Sequence, residues 1–84
     1  MYDVLIKTSA ERDMRKLSAN LFQRVNAKIL ALRDDPRPAG ALKLTGGLEG
    51  WRIRVGDYRI LYQIDDTART VTIVRVKHRR DVYR

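Results

Sequence analysis

Seven cations beyond residue 50, Arg52, Arg54, Arg59, Arg75, Lys77, Arg79 and Arg80, flank the chain's one histidine, His78, and precede Tyr83. Guanidinium groups stay protonated and grip phosphate oxygens through paired donors, so such a set suits a phosphodiester. They are poor bases for the same reason. Proton transfer then falls to Tyr83 or to the neutral imidazole of His78, with an arginine assisting. RNA cleavage asks least of a protein equipped in this way. A 2′-hydroxyl can attack its own adjacent phosphate, and the protein need only align the groups, meet the charge that builds on the phosphate oxygens and handle two protons. Passive RNA or DNA binding uses the same cations without the proton transfer.

Other chemistries find less support. The chain has no cysteine and a single histidine, which leaves neither a thiolate zinc site nor a disulfide framework, and no metal or other cofactor is expected. Asp34-Asp35 precedes a proline and Asp65-Asp66 precedes a turn, so turn chemistry explains both pairs. The segment Lys43-Leu44-Thr45-Gly46-Gly47-Leu48-Glu49-Gly50 is glycine-rich. It lacks the Gly-Lys-Ser/Thr ending of a phosphate loop and reads as a turn leading into a strand.

The elements that must position the cations follow from periodicity. In Trp51-Arg52-Ile53-Arg54-Val55, alternation puts Trp51, Ile53 and Val55 on one face and the two arginines on the other. Gly56-Asp57 suits a hairpin turn, after which Tyr58, Ile60, Tyr62 and Ile64 continue the apolar face and Arg59 the basic one. In the last run Arg75, Lys77 and Arg79 extend the basic face while Val74 and Val76 turn to the core. Val71 and Ile73 break that parity, and are expected under a neighbouring element or exposed at the strand's far end. Upstream, Tyr2 to Thr8 reads as an opening strand that pairs with something later. Ser9 is a plausible N-cap with Glu11 in the first turn, and Ala10, Met14 and Leu17 form the stripe of a short helix. After a break near Ser18 to Asn20, Leu21, Val25, Ile29 and Leu32 mark a second helix, which Asp34-Asp35-Pro36 stops. Pro36, Pro38 and Gly40 mark a loop.

The predicted fold is therefore α+β: an N-terminal strand, then a two-helix hairpin packed on one face of a twisted antiparallel sheet of about four strands. The opposite, basic face is left open for function. Eighty-four residues, 1–84, make a single domain with one small core. The net charge is +8 and is uneven, with nine Lys/Arg against six Asp/Glu up to residue 50 and nine against four beyond it. Such a bias favours polyanions, with a strong salt dependence. No apolar run is long enough to span a bilayer and no signal peptide is apparent, so no membrane association and a cytoplasmic location are expected.

In these residues the chain resembles the RelE/ParE superfamily of bacterial toxins from type II toxin-antitoxin pairs. The resemblance rests on the opening strand and helical hairpin, the P-R-P loop, K-L-T-G before the sheet, W-R-I-R-V-G-D-Y-R-I-L-Y-Q-I, and the closing V-K-H-R-R-D-V-Y. It implies a RelE-like messenger RNA interferase, an endoribonuclease that cuts the codon in the ribosomal A site until a RelB-like antitoxin neutralises it in a hetero-oligomeric complex. Arg59 matches the arginine that stabilises the phosphate, Arg79 a candidate general acid or charge stabiliser, and Tyr83 the C-terminal tyrosine that orients or stacks on the nucleotide. Arg52 and Arg54 fall where the best-known members carry two lysines, one of them proposed as the general base. That substitution leaves the base open between His78 and Tyr83. Lys43, Arg75, Lys77 and Arg80 complete the set as RNA-binding candidates. ParE-like members share the fold yet poison DNA gyrase, and a non-catalytic binding module acting only with its antitoxin is a third reading.

Overall fold

The computed structural model describes residues 1–44 and 50–82. Along the chain run β1 (Asp3–Ile6), α1 (Thr8–Arg15), α2 (Ala19–Ala31), β2 (Leu42–Lys43), β3 (Trp51–Val55), β4 (Tyr58–Asp65), β5 (Thr70–His78) and α3 (Arg79–Val82). The strands form one sheet in the order β1-β5-β4-β3-β2. The three long strands pair antiparallel as expected. Two features extend the expected sheet of about four antiparallel strands. The two-residue β2 adds an edge to β3, and β1 runs parallel to β5, with Asp3 opposite Thr70 and Ile6 opposite Ile73. A parallel pair needs a long crossover, and everything between β1 and β5 supplies it.

The core lies between the helices and one sheet face. Ala10 and Met14 of α1 and Val25 and Ile29 of α2 meet Ile53, Val55, Ile60, Tyr62, Val71, Ile73 and Val76, with Leu32 sealing the end of α2. The parity break at Val71 and Ile73 has a local cause. Leu61 pairs with Arg75 but Tyr62 pairs with Ile73, so Val74 is an extra residue, a β-bulge. The bulge lets Val71, Ile73 and Val76 all face the core, and it leaves Val74 only half-buried instead of inward as expected.

The bulge is held by α1. Beyond Ile73 no strand among the described residues lies beside the edge of β5, because the chain leaves β1 at Lys7, whose N–H donates to the Ile73 carbonyl at 3.0 Å, and enters α1. Side chains take over the pairing. The Ser9 hydroxyl donates to the Val74 carbonyl at 2.8 Å, and the Asp13 carboxylate accepts from the Val76 N–H at 2.9 Å and from Arg75 Nε at 2.8 Å. Ser9 is thus not the N-cap. The helix starts earlier, with Lys7 in the cap position and no side-chain cap, since the strand delivers Lys7 already extended. Ser18 does cap α2, its Oγ accepting from the Leu21 N–H at 3.2 Å.

The proline loop is tied to the sheet by the buried Tyr62 hydroxyl, which donates to the Pro36 carbonyl at 2.8 Å, and burial pushes that phenol up to about 12. Arg37 sits 5.4 Å from the Trp51 ring centroid and pairs with Asp66 at 2.8 Å. Gly50 enters β3 with φ +121°, and a Cβ there would meet the Tyr62 carbonyl oxygen at 2.7 Å. Gly50→Ala must therefore displace backbone, and a loss of about 2–3 kcal/mol is expected in urea unfolding. Among the described residues no helix is long and apolar enough to cross a membrane.

Candidate nucleic-acid interface

The sheet face away from the helices carries the arginines of β3 and β4. Register places Arg54, Arg59 and Lys77 side by side on three neighbouring strands, next to the β3–β4 turn. At ~4.8 Å between strands the row spans about 10 Å. A second row, Leu42, Arg52, Leu61 and Arg75, lies two residues further along the strands.

Arg59 is the central member and the most unusual. It is only 5% exposed, its Nη1 donates to the Tyr58 carbonyl at 3.3 Å, and its Nε–H has no acceptor among the described residues. A buried, incompletely paired guanidinium between two further cations costs stability, and such a group in a native protein calls for an explanation. An anion accepted at this place supplies one. Arg79 joins from the other side of the turn. Its backbone N–H donates to the Asp57 carbonyl at 2.7 Å, which anchors the start of α3 at the end of the sheet where the row lies.

The other candidates separate from the row. His78 is on the helix-side face: it pairs in register with Tyr58, two residues on from the inward Val76, and its ring meets Tyr58 edge-on at 5.4 Å between centroids. Its Nδ1 accepts from the Arg80 N–H at 3.3 Å. It borders a polar hollow of about 250 Å³ with Lys16, Arg75, Lys77 and Arg80, although alternation along β5 sets His78 and Lys77 on opposite faces of the strand. Arg75 belongs to the open-face register, but its guanidinium is spent on Asp13 through Nε and, at 3.1 Å, Nη2. Burial pushes the Asp13 carboxyl up, yet the bonds from Arg75 and the Val76 N–H outweigh it and hold the group below the usual carboxylate range. Lys43 pairs with Trp51 at the far end of β3 from Arg54. Tyr83 and the segment Thr45–Glu49 lie outside the described residues. Among those described, no three of His, Cys, Asp and Glu form a group that could hold a metal ion.

Comparison with known proteins shows the family of the chain. The family model for the ParE toxin of the type II toxin-antitoxin system parDE matches residues 4–83. Toxin RelG of Mycobacterium tuberculosis is 40% identical over 85 residues, covering 99% of this chain and 97% of the relative. The chain is a RelE/ParE-superfamily toxin. Solved structures agree. The toxin-antitoxin complex RelBE2 of Mycobacterium tuberculosis superposes with a TM-score of 0.82 at 37% identity, over 92% of this toxin and 96% of that chain. The archaeal RelE-RelB complex of Pyrococcus horikoshii gives 0.79 at 26% identity, over 93% and 94%. The intact RelBE complex of E. coli gives 0.78 at 25% identity, over 93% and 96%.

The strand period already sets Lys77 on the face of Arg59, and the register bears this out. What escapes a reading by strand period is the pair Ser9 and Asp13, one helical turn apart on the face of α1 that also holds Ala10. An acid set among Ala10, Met14 and Leu17 was the available signal, because a carboxylate within an apolar stripe needs a partner.

Proposed function

We propose that this toxin is a messenger RNA interferase that cuts the codon in the ribosomal A site by attack of a 2′-hydroxyl on its own adjacent phosphate. The single observation behind it is Arg59, shielded from solvent between Arg54 and Lys77 with its Nε–H unpaired among the described residues. Fixed donors of this kind serve a charge that develops on phosphate oxygens, since they need no reorganisation when it appears. In the step, the 2′-oxygen to phosphorus bond forms as the phosphorus to 5′-oxygen bond breaks. One proton leaves the 2′-hydroxyl and one reaches the 5′-oxygen, giving a 2′,3′-cyclic phosphate and a 5′-hydroxyl.

Arg59 and Arg54 meet the phosphate charge, and Arg79, exposed at the same end of the sheet, supports the leaving side. Of the row's three cations only Lys77 has an amine that can give up and retake a proton. Lys77 therefore takes the base role that the sequence left between His78 and Tyr83. His78 is set on the opposite face with its Nδ1 engaged, and Tyr83 completes the site by family resemblance. Ribosome dependence and a RelB-type antitoxin follow from the same family relation, and the neighbours at 37% and 26% identity were solved as RelB-containing complexes or as RelBE2.

The matching family model is that of ParE, which makes gyrase poisoning the competing function. Primer extension on a defined message, with and without translating ribosomes, separates the two. Cuts confined to the A-site codon and requiring ribosomes support the interferase. Intact message together with gyrase-dependent DNA breaks would move the toxin to the ParE class. In the same assay Lys77→Arg keeps the charge but not the proton acceptor, and a loss of about 10²–10⁴-fold in cleavage rate with unchanged RNA affinity is expected.

A further inference from the structure

We infer that the groove between α2 and the outer edge of β3 is a second phosphate-backbone site, which holds single-stranded RNA flanking the position of cleavage. The polyanion is named RNA on the strength of the interferase function; the groove itself rests on separate observations. Two adjoining hollows, about 200 and 440 Å³, open along this edge and share Lys28 and Arg54 as walls. Arg24 completes the cationic lining, and among the described residues no acidic one lines either hollow.

The arrangement is unfavourable unless an anion comes. Arg24 and Lys28 stand four residues apart on α2, a spacing at which like charges repel, and both are exposed. Neither they nor Arg54 form an ion pair among the described residues, whereas the exposed Arg15 and Arg37 do. The surroundings also permit close approach. Small residues, Ala27, Ala31 and Gly40, line the floor between the cations. β2 covers only Trp51 and Arg52, so among the described residues no strand pairs with Ile53 to Val55 on their outer side, and an edge N–H there can serve a phosphate oxygen.

Continuity with the catalytic row decides what the occupant is. Arg54 belongs to both surfaces: it pairs in register with Arg59, and it lines both hollows. At the hairpin tip a Cβ on Gly56 would lie 3.6 Å from Arg24 Nη2, so Arg24 closes the groove beside the same turn. Lys77, Arg59, Arg54, Lys28 and Arg24 thus form one basic track that crosses the open face and turns over the sheet edge. A chain with a charge at every unit fits such a track along its whole length.

The test uses the full-length chain and oligoribonucleotides made uncleavable by 2′-O-methylation, three and nine nucleotides long, titrated across a range of salt. In the doubly substituted Arg24→Ala/Lys28→Ala toxin, trinucleotide affinity is expected to stay unchanged while nonanucleotide affinity falls about ten-fold. The slope of log affinity against log salt should drop by about 1.4, the loss of two phosphate contacts on a single strand. Both side chains are exposed on α2, and thermal unfolding checks that the variant is folded. An unchanged slope and length dependence would overturn the proposal, as would a variant that loses binding only to an acidic nonapeptide. A wild-type protein that shows the nonanucleotide effect yet cuts no message would keep the groove and remove the interferase function. One that cuts while the variant's slope is unchanged would do the reverse.

Discussion

Arg59→Met is expected to reduce RNA cleavage by about 10²–10³-fold while leaving the toxin as stable as the wild type or more so. The first half follows from the proposed role of Arg59, since removing a fixed donor that meets a developing charge costs on this scale where it has been measured. The second half is the more telling. Arg59 is 5% exposed, makes one side-chain hydrogen bond at 3.3 Å and leaves its Nε unpaired among the described residues. Replacing a buried charge by an apolar side chain of similar length is commonly neutral or stabilising by ~1–4 kcal/mol. Relief of repulsion from Arg54 and Lys77 acts in the same direction. Urea unfolding beside single-turnover cleavage reads both halves. A variant that lost several kcal/mol of stability would show Arg59 to be a structural residue and would remove the observation on which the proposed function stands. Arg79, being exposed, gives the contrast: its alanine variant should change stability by no more than about 0.5 kcal/mol.

The second large effect is on stability and comes from a residue outside the site. Asp13→Ala is expected to destabilise the toxin by about 2–3 kcal/mol, because it strips the partner from the Val76 N–H on an edge beside which no strand lies among the described residues. The pair with Arg75 adds less, since that guanidinium is 39% exposed and screened. The pH dependence follows from the depressed carboxyl. A group whose pKa is lower folded than unfolded contributes stability that is present above its unfolded value, about 3.9, and is lost as the pH falls through the folded one. Denaturation curves of the wild type and Asp13→Ala should therefore be well separated at neutral pH and draw together below pH ~4. A gap that stayed constant to pH ~2 would mean that the charge of Asp13 does not hold the bulge.

Much of this molecule could be read before its structure. The alternation from Trp51 to Ile64 and the turn at Gly56-Asp57 are strong because each strand has one buried face and one open one, so period and burial agree. The helical stripes of Met14 and of Val25 and Ile29 are legible for the same reason. The partner of β1 was not, since parallel pairing is a tertiary choice that no local pattern encodes. Nor was β2, whose two residues are too few to show a period. Val74 is the instructive failure. A single inserted residue reverses the parity of everything after it, and only the burial of Val71 and Ile73 together with Val76 exposes the insertion.

The candidate site was legible by residue type more than by arrangement. Arg59 was placed on the correct strand face, but its burial depends on neighbours across two strands. His78 stood in the cluster by sequence proximity alone; strict alternation from Val76 would already have set it on the other face. Arg75 looked like its neighbours and is taken up by Asp13, 62 residues away.

The most direct test of the central claim is a single-turnover reaction on a ribosome-bound message carrying one 2′-deoxy nucleotide, placed where the attacking hydroxyl would be. The expected result is cleavage of the all-ribose message in the A site, with a 2′,3′-cyclic phosphate at the new end, and no cleavage of the 2′-deoxy message. Cutting of the deoxy message at the same position, or no cutting of either by a toxin that still arrests growth, would contradict it.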